Sequence, residues 1–366
     1  MKPLDIDWAG TPPSPPPPDR IPAAEQSFVA GSVDTAQGKV PRVSHEVTAR
    51  DVLGRYAARW GIGRMSYAVT PGLYAFGSPT EESPVVVSCN YKLTFDLLRN
   101  TWKDLNIWVL VIETMGINVW CAAGKGTFGT DEIVRRIEAS GLSRVVSHKN
   151  IILPQLGAPG VAAHEVKKKT GFKVHYGPVR AADLARYLAD GRKADEEMRT
   201  VTFNLPERFV LTPMEVVGFK NHALKFILGA LILSGIGPGI WTLASSLGRG
   251  PILILALVAG ILAGGVLTPV LLPWLPGRMF SLKGAVTGIV TAAAILSALG
   301  KGLNGAEVAS VILLTASIAS YAAMNFTGAT TFTSPSGVMK EMKRSLPLQI
   351  GALAVSLALW VTGAFL

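Results

Sequence analysis

The sequence predicts an α/β Rossmann-like domain followed by an all-α transmembrane domain of five helices. Two observations carry the prediction. Nearly all the charge of the 366-residue chain precedes Lys225, and beyond it long runs of Gly, Ala, Leu, Ile and Val are broken only by loops with one to three charges. Between Pro84 and Ala189, short β-rich runs alternate with helical stretches, the pattern of parallel strands joined by crossover helices.

Residues 1–45 are expected to form a disordered, Pro-rich tail. Its run from Gly10 to Arg20 holds Pro12, Pro13 and Pro15 to Pro18, which cannot donate a regular hydrogen-bond ladder. A Pro-rich recognition peptide is the functional alternative. Residues 1–20 also lack the apolar core of a secretory signal, so Cys89 and Cys121 are expected to be reduced thiols in the cytoplasm.

The α/β domain is expected over 46–210. Val85 to Ser88 reads as a buried strand, Tyr91 to Trp102 as a helix, Asn106 to Ile112 as a second buried strand and Thr130 to Ser140 as a second helix. Arg144 to Ser147 and Phe172 to His175 supply two further short strands, with helices over Val161 to Thr170 and Ala181 to Ala189. Such a sheet binds ligands in loops beyond the carboxyl ends of its strands. The loops of interest are Ser88 to Tyr91, Glu113 to Thr130 and Leu153 to Gly160.

The transmembrane domain is expected over 211–366, with five spans at Phe226 to Leu247, Pro251 to Leu275, Gly284 to Gly300, Val308 to Phe326 and Leu346 to Leu366. At about 1.5 Å per residue each crosses all or most of a ~30 Å hydrocarbon layer. Loops carry Arg249 after the first span, Arg278 and Lys283 after the second, Lys301 after the third, and Lys340, Lys343 and Arg344 after the fourth. The richer loops share a side with the α/β domain, which the positive-inside tendency assigns to the cytoplasm. With no acidic residue inside a span, a transporter with a proton relay is disfavoured. The uncharged polar run from Asn325 to Gly337 reads as helix packing and a re-entrant loop, or as a docking surface.

The formal net charge of +10 reflects basic residues flanking apolar spans, and no nucleic-acid motif accompanies it. Two cysteines cannot hold an iron–sulfur cluster, which needs four ligands. The stretch Gly124 to Gly129 matches G-x-G-x-x-G in form only, because the preceding strand ends near Glu113 and no ribose-binding acid follows at the required place. Lys125 is followed by Gly126, so a P-loop fails too.

More informative is Asn118-Val119-Trp120-Cys121-Ala122-Ala123-Gly124-Lys125. A short helix or tight turn here lets Ala122, Ala123 and Gly124 admit a broad, flat ligand to the backbone, with Cys121 pointing at it. On residue chemistry alone, a lone Cys beside Trp is more often a packing thiol. The full eight-residue run, however, resembles the cap-helix signature of the mercury-methylating corrinoid proteins. The wider chain, over about residues 84–190, resembles the corrinoid-binding domain of the corrinoid iron–sulfur protein.

The resemblance implies a corrinoid-binding domain holding a base-off cobamide, a cobalamin-type corrinoid, with the Cys121 thiolate as lower axial ligand to cobalt. It also implies a methyltransferase that gives methylmercury from Hg(II); the alternative is a membrane-bound methyl carrier of an acetyl-CoA-type one-carbon pathway. The implied partners are a ferredoxin-like protein with two [4Fe–4S] clusters, a methyl donor of the methyltetrahydrofolate branch, and the lipid bilayer. The Asp-x-His-x-x-Gly motif of His-ligated cobalamin enzymes is absent, and His148, His164, His175 and His222 have other surroundings.

Asn118, Val119, Ala122, Ala123, Gly124 and Lys125 then shape the cap helix, and Trp120 either anchors it or contacts the corrin. Ser88 and Asn90 either face the cobalt and corrin amides or cap the following helix. Gln155 and Gly157, with Gly160, either hold corrin side chains or the nucleotide tail, or form an ordinary turn. Cys89 follows a buried strand and reads as a packing residue, with mercury relay as its alternative.

Overall fold

In the computed structural model, residues 26–330, 333 and 335–366 are described. The chain divides into two compact units, one comprising Ile62–Val201 with the described residues before Arg59, the other Arg59–Gly61 with Thr202–Leu366. The expected boundary near 210 thus lies at Val201/Thr202.

The first unit is built on a seven-stranded sheet of β1 (Val29–Thr35), β2 (Gly38–Val43), β3 (Gly72–Phe76), β4 (Val85–Cys89), β5 (Ile107–Ile112), β6 (Asn150–Leu153) and β7 (Lys173–Tyr176), in the spatial order 1-2-3-5-4-6-7. Every residue of β4 and β5 is buried, as expected of β-branched strands covered on both faces. β5, β4, β6 and β7 run parallel, and β3 joins β5 antiparallel. The helices are α1 (Ala49–Arg59), α2 (Lys92–Thr101), α3 (Val119–Lys125), α4 (Thr130–Ala139), α5 (Leu142–Val145), α6 (Ala163–Thr170) and α7 (Leu184–Ala189). Val87, Leu110 and Leu153 pack on one face with Val119, Ile133 and Val166; Val86, Val109 and Ile152 pack on the other with Phe95, Leu98 and Leu184. The result is a three-layer α/β/α sandwich.

Two sequence expectations change here. Residues 29–43 form a hairpin that extends the sheet, so the ordered unit begins well before residue 46; the Pro-rich run itself lies outside the described residues. The hairpin hides from a sequence reading because its outer strand is largely exposed and mixes small, apolar and polar residues. The segment 144–147 is not a strand: Gly141, at φ 58°, starts the helical turn α5, and the strand forms instead at β6.

α1 and α2 are clamped by buried charges. Arg99 bonds Asp51 at 2.7 Å and Asp96 at 2.8 Å, while Lys92 reaches both carboxylates at 2.7 Å. Burial opposes ionisation of Asp51, but hydrogen bonds from Lys92 and Thr48 outweigh it and hold the carboxyl well below the usual range.

The second unit is helical: α8 (Lys220–Gly235), α9 (Leu243–Leu262), α10 (Phe280–Leu299), α11 (Gly305–Asn325) and α12 (Pro335–Gly363). Four helical stretches, Leu243–Leu271, Phe280–Leu299, Gly305–Gly328 and Ser336–Gly363, are long and apolar enough to cross a membrane. A fifth span results if Leu205–Val217 and Lys220–Gly235, bent by 58°, count as one. Glycines let the helices approach closely: a Cβ on Gly284 would lie 2.4 Å from the Ala319 carbonyl oxygen.

The first expected span, 226–247, is broken. α8 stops at Gly235, and Ile236–Gly237 pairs with Ile240–Trp241 around Pro238 before α9 begins. Gly and Pro there end the helix despite the apolar composition. Arg249, expected in a loop, lies inside α9 and pairs at 2.8 Å with Glu307 in the first turn of α11. Glu307 and Glu341 thus fall inside helices that reach beyond the expected spans. In the polar run 325–337, Thr327 Oγ1 donates to Met324 O at 2.6 Å and Thr333 Oγ1 to Thr327 O at 2.8 Å, while 331, 332 and 334 lie outside the described residues.

Candidate functional site

β4 is the hinge of the sheet's connectivity. The chain passes from β4 to β5 on one side, then crosses over β4 to β6 on the other. Ligands of open α/β sheets bind at such a reversal, outside the strands' carboxyl ends. β4 and β6 pair only at Val86↔Ile152, and a cavity of about 230 Å³ lies at this position. Its lining includes Ser88, Asn118, Val119, Trp120, Leu153 and Leu156. Residues from all three loops chosen from the sequence therefore meet at one place.

The loop from β5 to α3 is fixed by Asn90. Its Nδ2 donates to Glu113 Oε1 at 2.8 Å; its Oδ1 accepts from Thr114 N, Thr114 Oγ1 and Gly116 N at 3.1, 2.9 and 3.0 Å. Glu113 also accepts from Met115 N at 2.7 Å, and Met115 adopts φ 58°, a left-handed conformation uncommon outside glycine. Asn90 is 3% exposed, and its amide is used on the loop rather than turned toward a ligand; nor does it cap α2, whose N-cap is Tyr91. Glu113 and Thr114, not singled out from the sequence, complete this knot; two polar residues at a buried strand's end were its available signal.

α3 follows as a short helix, one of the two forms expected of this run. Asn118 is its N-cap, with Oδ1 accepting from Cys121 N at 2.9 Å, and Gly126 closes it at φ 79°. Val119, Ala122 and Ala123 face the core. Trp120, Gly124 and Lys125 are exposed and Cys121 is half-buried among them, so the thiol belongs to the outward face. A Cβ on Gly124 would meet nothing within 4 Å, which leaves the surface beside Cys121 flat and open. Burial pushes the Cys121 thiol up, against the opposing charges of Lys125 and Arg64 and a hydrogen bond from Asn118.

The remaining candidates divide. Ser88 is 2% exposed and lines the cavity. Gln155 Oε1 is buried without a hydrogen-bond partner among the described residues. Gly157 serves packing, because a Cβ there would come within 2.5 Å of the Phe128 ring; at Gly160 it would come within 2.2 Å of the Phe128 carbonyl oxygen. Cys89 is fully buried in the core, and desolvation pushes its thiol up. Among the described residues, no cluster of three or more His, Cys, Asp or Glu is arranged to hold a metal ion by itself.

A family model described as CO dehydrogenase/acetyl-CoA synthase delta subunit matches residues 61–188. The acetyl-CoA decarbonylase/synthase complex subunit gamma of Methanocaldococcus jannaschii is 33% identical over 127 residues, 34% of this chain and 26% of the relative. The corresponding subunit of Methanopyrus kandleri is 31% identical over 122 residues, 33% and 26% of the two chains. That of Methanothermobacter thermautotrophicus is 32% identical over 127 residues, 34% and 27%. The chain thus spans about a quarter of the length of these relatives.

Proposed function

We propose that this chain is a membrane-anchored corrinoid methyltransferase that delivers a methyl group to Hg(II), with Cys121 as the residue that would hold the cobalt. The observation that carries the reading is the outward, half-buried position of Cys121 on a helix whose neighbouring Gly124 leaves the ligand side open. The residues fit a corrinoid in two further respects. Gln155 Oε1 is free to accept from a corrin amide, and the open surface beside Cys121 is where the ring would lie, since the cavity beside Ser88 and Asn118, below the ~300–1,000 Å³ of small-molecule pockets, does not hold it.

A bound corrinoid would supply a cobalt-carried methyl group, and Cys121 would hold the cobalt through a soft, strongly donating thiolate, which suits methyl delivery to an electrophile such as Hg(II). Asn118 and Gly126 hold the helix that aims the sulfur, and Lys125 and Arg64 offset the charge of its thiolate form. Asn90 holds the loop from which that helix starts. With two cysteines the chain supplies no iron–sulfur cluster, so electrons come from a ferredoxin-like partner with two [4Fe–4S] clusters and the methyl from a methyltetrahydrofolate-linked donor. The helical unit anchors the chain in the cytoplasmic membrane, with the α/β unit in the cytoplasm.

A second reading, a membrane-bound methyl carrier in an acetyl-CoA-type one-carbon pathway, is favoured by the similarity to acetyl-CoA decarbonylase/synthase gamma subunits. The full chain, purified in detergent and loaded with cobalamin, separates the possibilities. Unchanged Co(III) optical bands in Cys121→Ala would rule out thiolate ligation. Loaded with methylcobalamin, a mercury methyltransferase forms methylmercury from Hg(II) and loses this in Cys121→Ala. A carrier forms none, and its transfer to a thiol acceptor survives the substitution.

A further inference from the structure

Helices α10, α11 and α12 enclose a pocket of about 320 Å³ whose polar lining includes Ser281, Ser317, Ser320, Ser345 and Gln349. Leu348, 75% exposed, lies at its rim, so the pocket opens to the outside of the helical unit. Gln349 is 8% exposed; its Nε2 donates to Ser320 Oγ at 2.8 Å, and its Oε1 is buried with no partner among the described residues. Turning the amide over exchanges the two atoms without satisfying both. An unpaired amide atom in an apolar setting costs free energy, and a hydroxyl, both donor and acceptor, satisfies it in either orientation.

Four basic residues neighbour the pocket's lining in sequence, with the buried acid Glu341 among them. Arg278 adjoins Met279 and Arg344 adjoins Ser345, both lining residues, and Lys340 and Lys343 lie within the preceding turns of α12. All four cations are exposed, and none ion-pairs with a described residue. Glu341 accepts from Ser281 N at 2.6 Å and fastens this part of α12, with Lys340, Lys343 and Arg344, to the start of α10, which Arg278 precedes.

We propose that this pocket binds the headgroup of an anionic lipid with a free hydroxyl, of the phosphatidylglycerol type. The phosphate meets the basic rim, the hydroxyl pairs with the Gln349 amide, and the acyl chains leave past Leu348. This rests on the helical unit being embedded in a bilayer, which recovery of the full chain in phosphatidylcholine nanodiscs tests separately.

Native mass spectrometry of the full chain, titrated with phosphatidylglycerol, phosphatidylmethanol and phosphatidylcholine, tests the site. Phosphatidylmethanol keeps the charge and lacks the hydroxyl. Phosphatidylglycerol is expected to bind roughly three- to tenfold more tightly than phosphatidylmethanol, the worth of a hydrogen bond, and phosphatidylcholine most weakly. Gln349→Leu should abolish the first difference, and Arg278→Gln with Arg344→Gln should shrink the second. Equal binding of phosphatidylglycerol and phosphatidylmethanol by the wild-type chain overturns the proposal and leaves water at Gln349. Displacement of bound phosphatidylglycerol by a membrane quinol overturns it as well, assigning the pocket to the quinol.

Discussion

Cys89 and Cys121 follow neighbouring strands of one sheet and have opposite surroundings. Cys89 ends β4 beneath Tyr91 and Val119, fully buried in the core. Cys121 comes nine residues after β5, on a helix whose inner face is made of Val119, Ala122 and Ala123, so its own face is turned outward. Burial raises both thiols, so intrinsic acidity does not tell them apart. What differs is access, and access is set by which helical face carries the small core residues.

The sharpest break of this contrast is chemical labelling. Iodoacetamide should modify Cys121 of the folded full chain about a hundredfold faster than Cys89, whose exposure requires opening of the core; peptide mass spectrometry reads the ratio. Comparable rates would mean that β4 opens easily. The next effect is on the knot that separates the two sites. Asn90→Ala, which removes its buried bonds to Glu113, Thr114 and Gly116, should cost about 2–3 kcal/mol and raise amide exchange across 113–125.

Glycines test the two faces of the same helix region. Gly160→Ala forces a methyl onto the Phe128 carbonyl and should cost about 1–3 kcal/mol in thermal melts, whereas Gly124→Leu should raise the melting temperature slightly and weaken cobalamin retention. Asn118→Ala should cost about 1 kcal/mol through the lost cap, with Cys121 labelling altered and Cys89 labelling unchanged. The smallest effect is absent at neutral pH. Asp51 has a depressed folded pKa, so its contribution is complete above the ordinary carboxylate value near 4 and fades as pH falls below it. Because Asp51 clamps α2 through Lys92 and Arg99, a disulfide reagent active in acid should reach Cys89 faster below about pH 4 while Cys121 changes little. Equal acid sensitivity would show that the clamp does not control the strand.

The central strands and their helices were legible because burial on both faces leaves continuous β-branched runs such as Val85–Val87. The hairpin at 29–43 was not, since a largely exposed edge strand with Asp34 carries little hydrophobic pattern. The first helical span was misread because apolar composition around Pro238 masked the turn between Ile236–Gly237 and Ile240–Trp241. At the site, the small residues Ala122 to Gly124 made a short helix or tight turn legible, and it is the helix α3; the capping role of Asn118 was not read from the sequence. The use of Asn90 on its own loop, and of Gly157 on Phe128, depends on contacts between segments far apart in sequence.

Gly124 carries a consequence for how such a chain evolves. In the last turn of α3 it forfeits up to about 1 kcal/mol relative to alanine, and nothing within 4 Å of its missing side chain requires it. A lineage selected only for thermal endurance would be driven to fill the position. A laboratory selection for heat resistance alone should therefore erode the site through this residue before it touches the core.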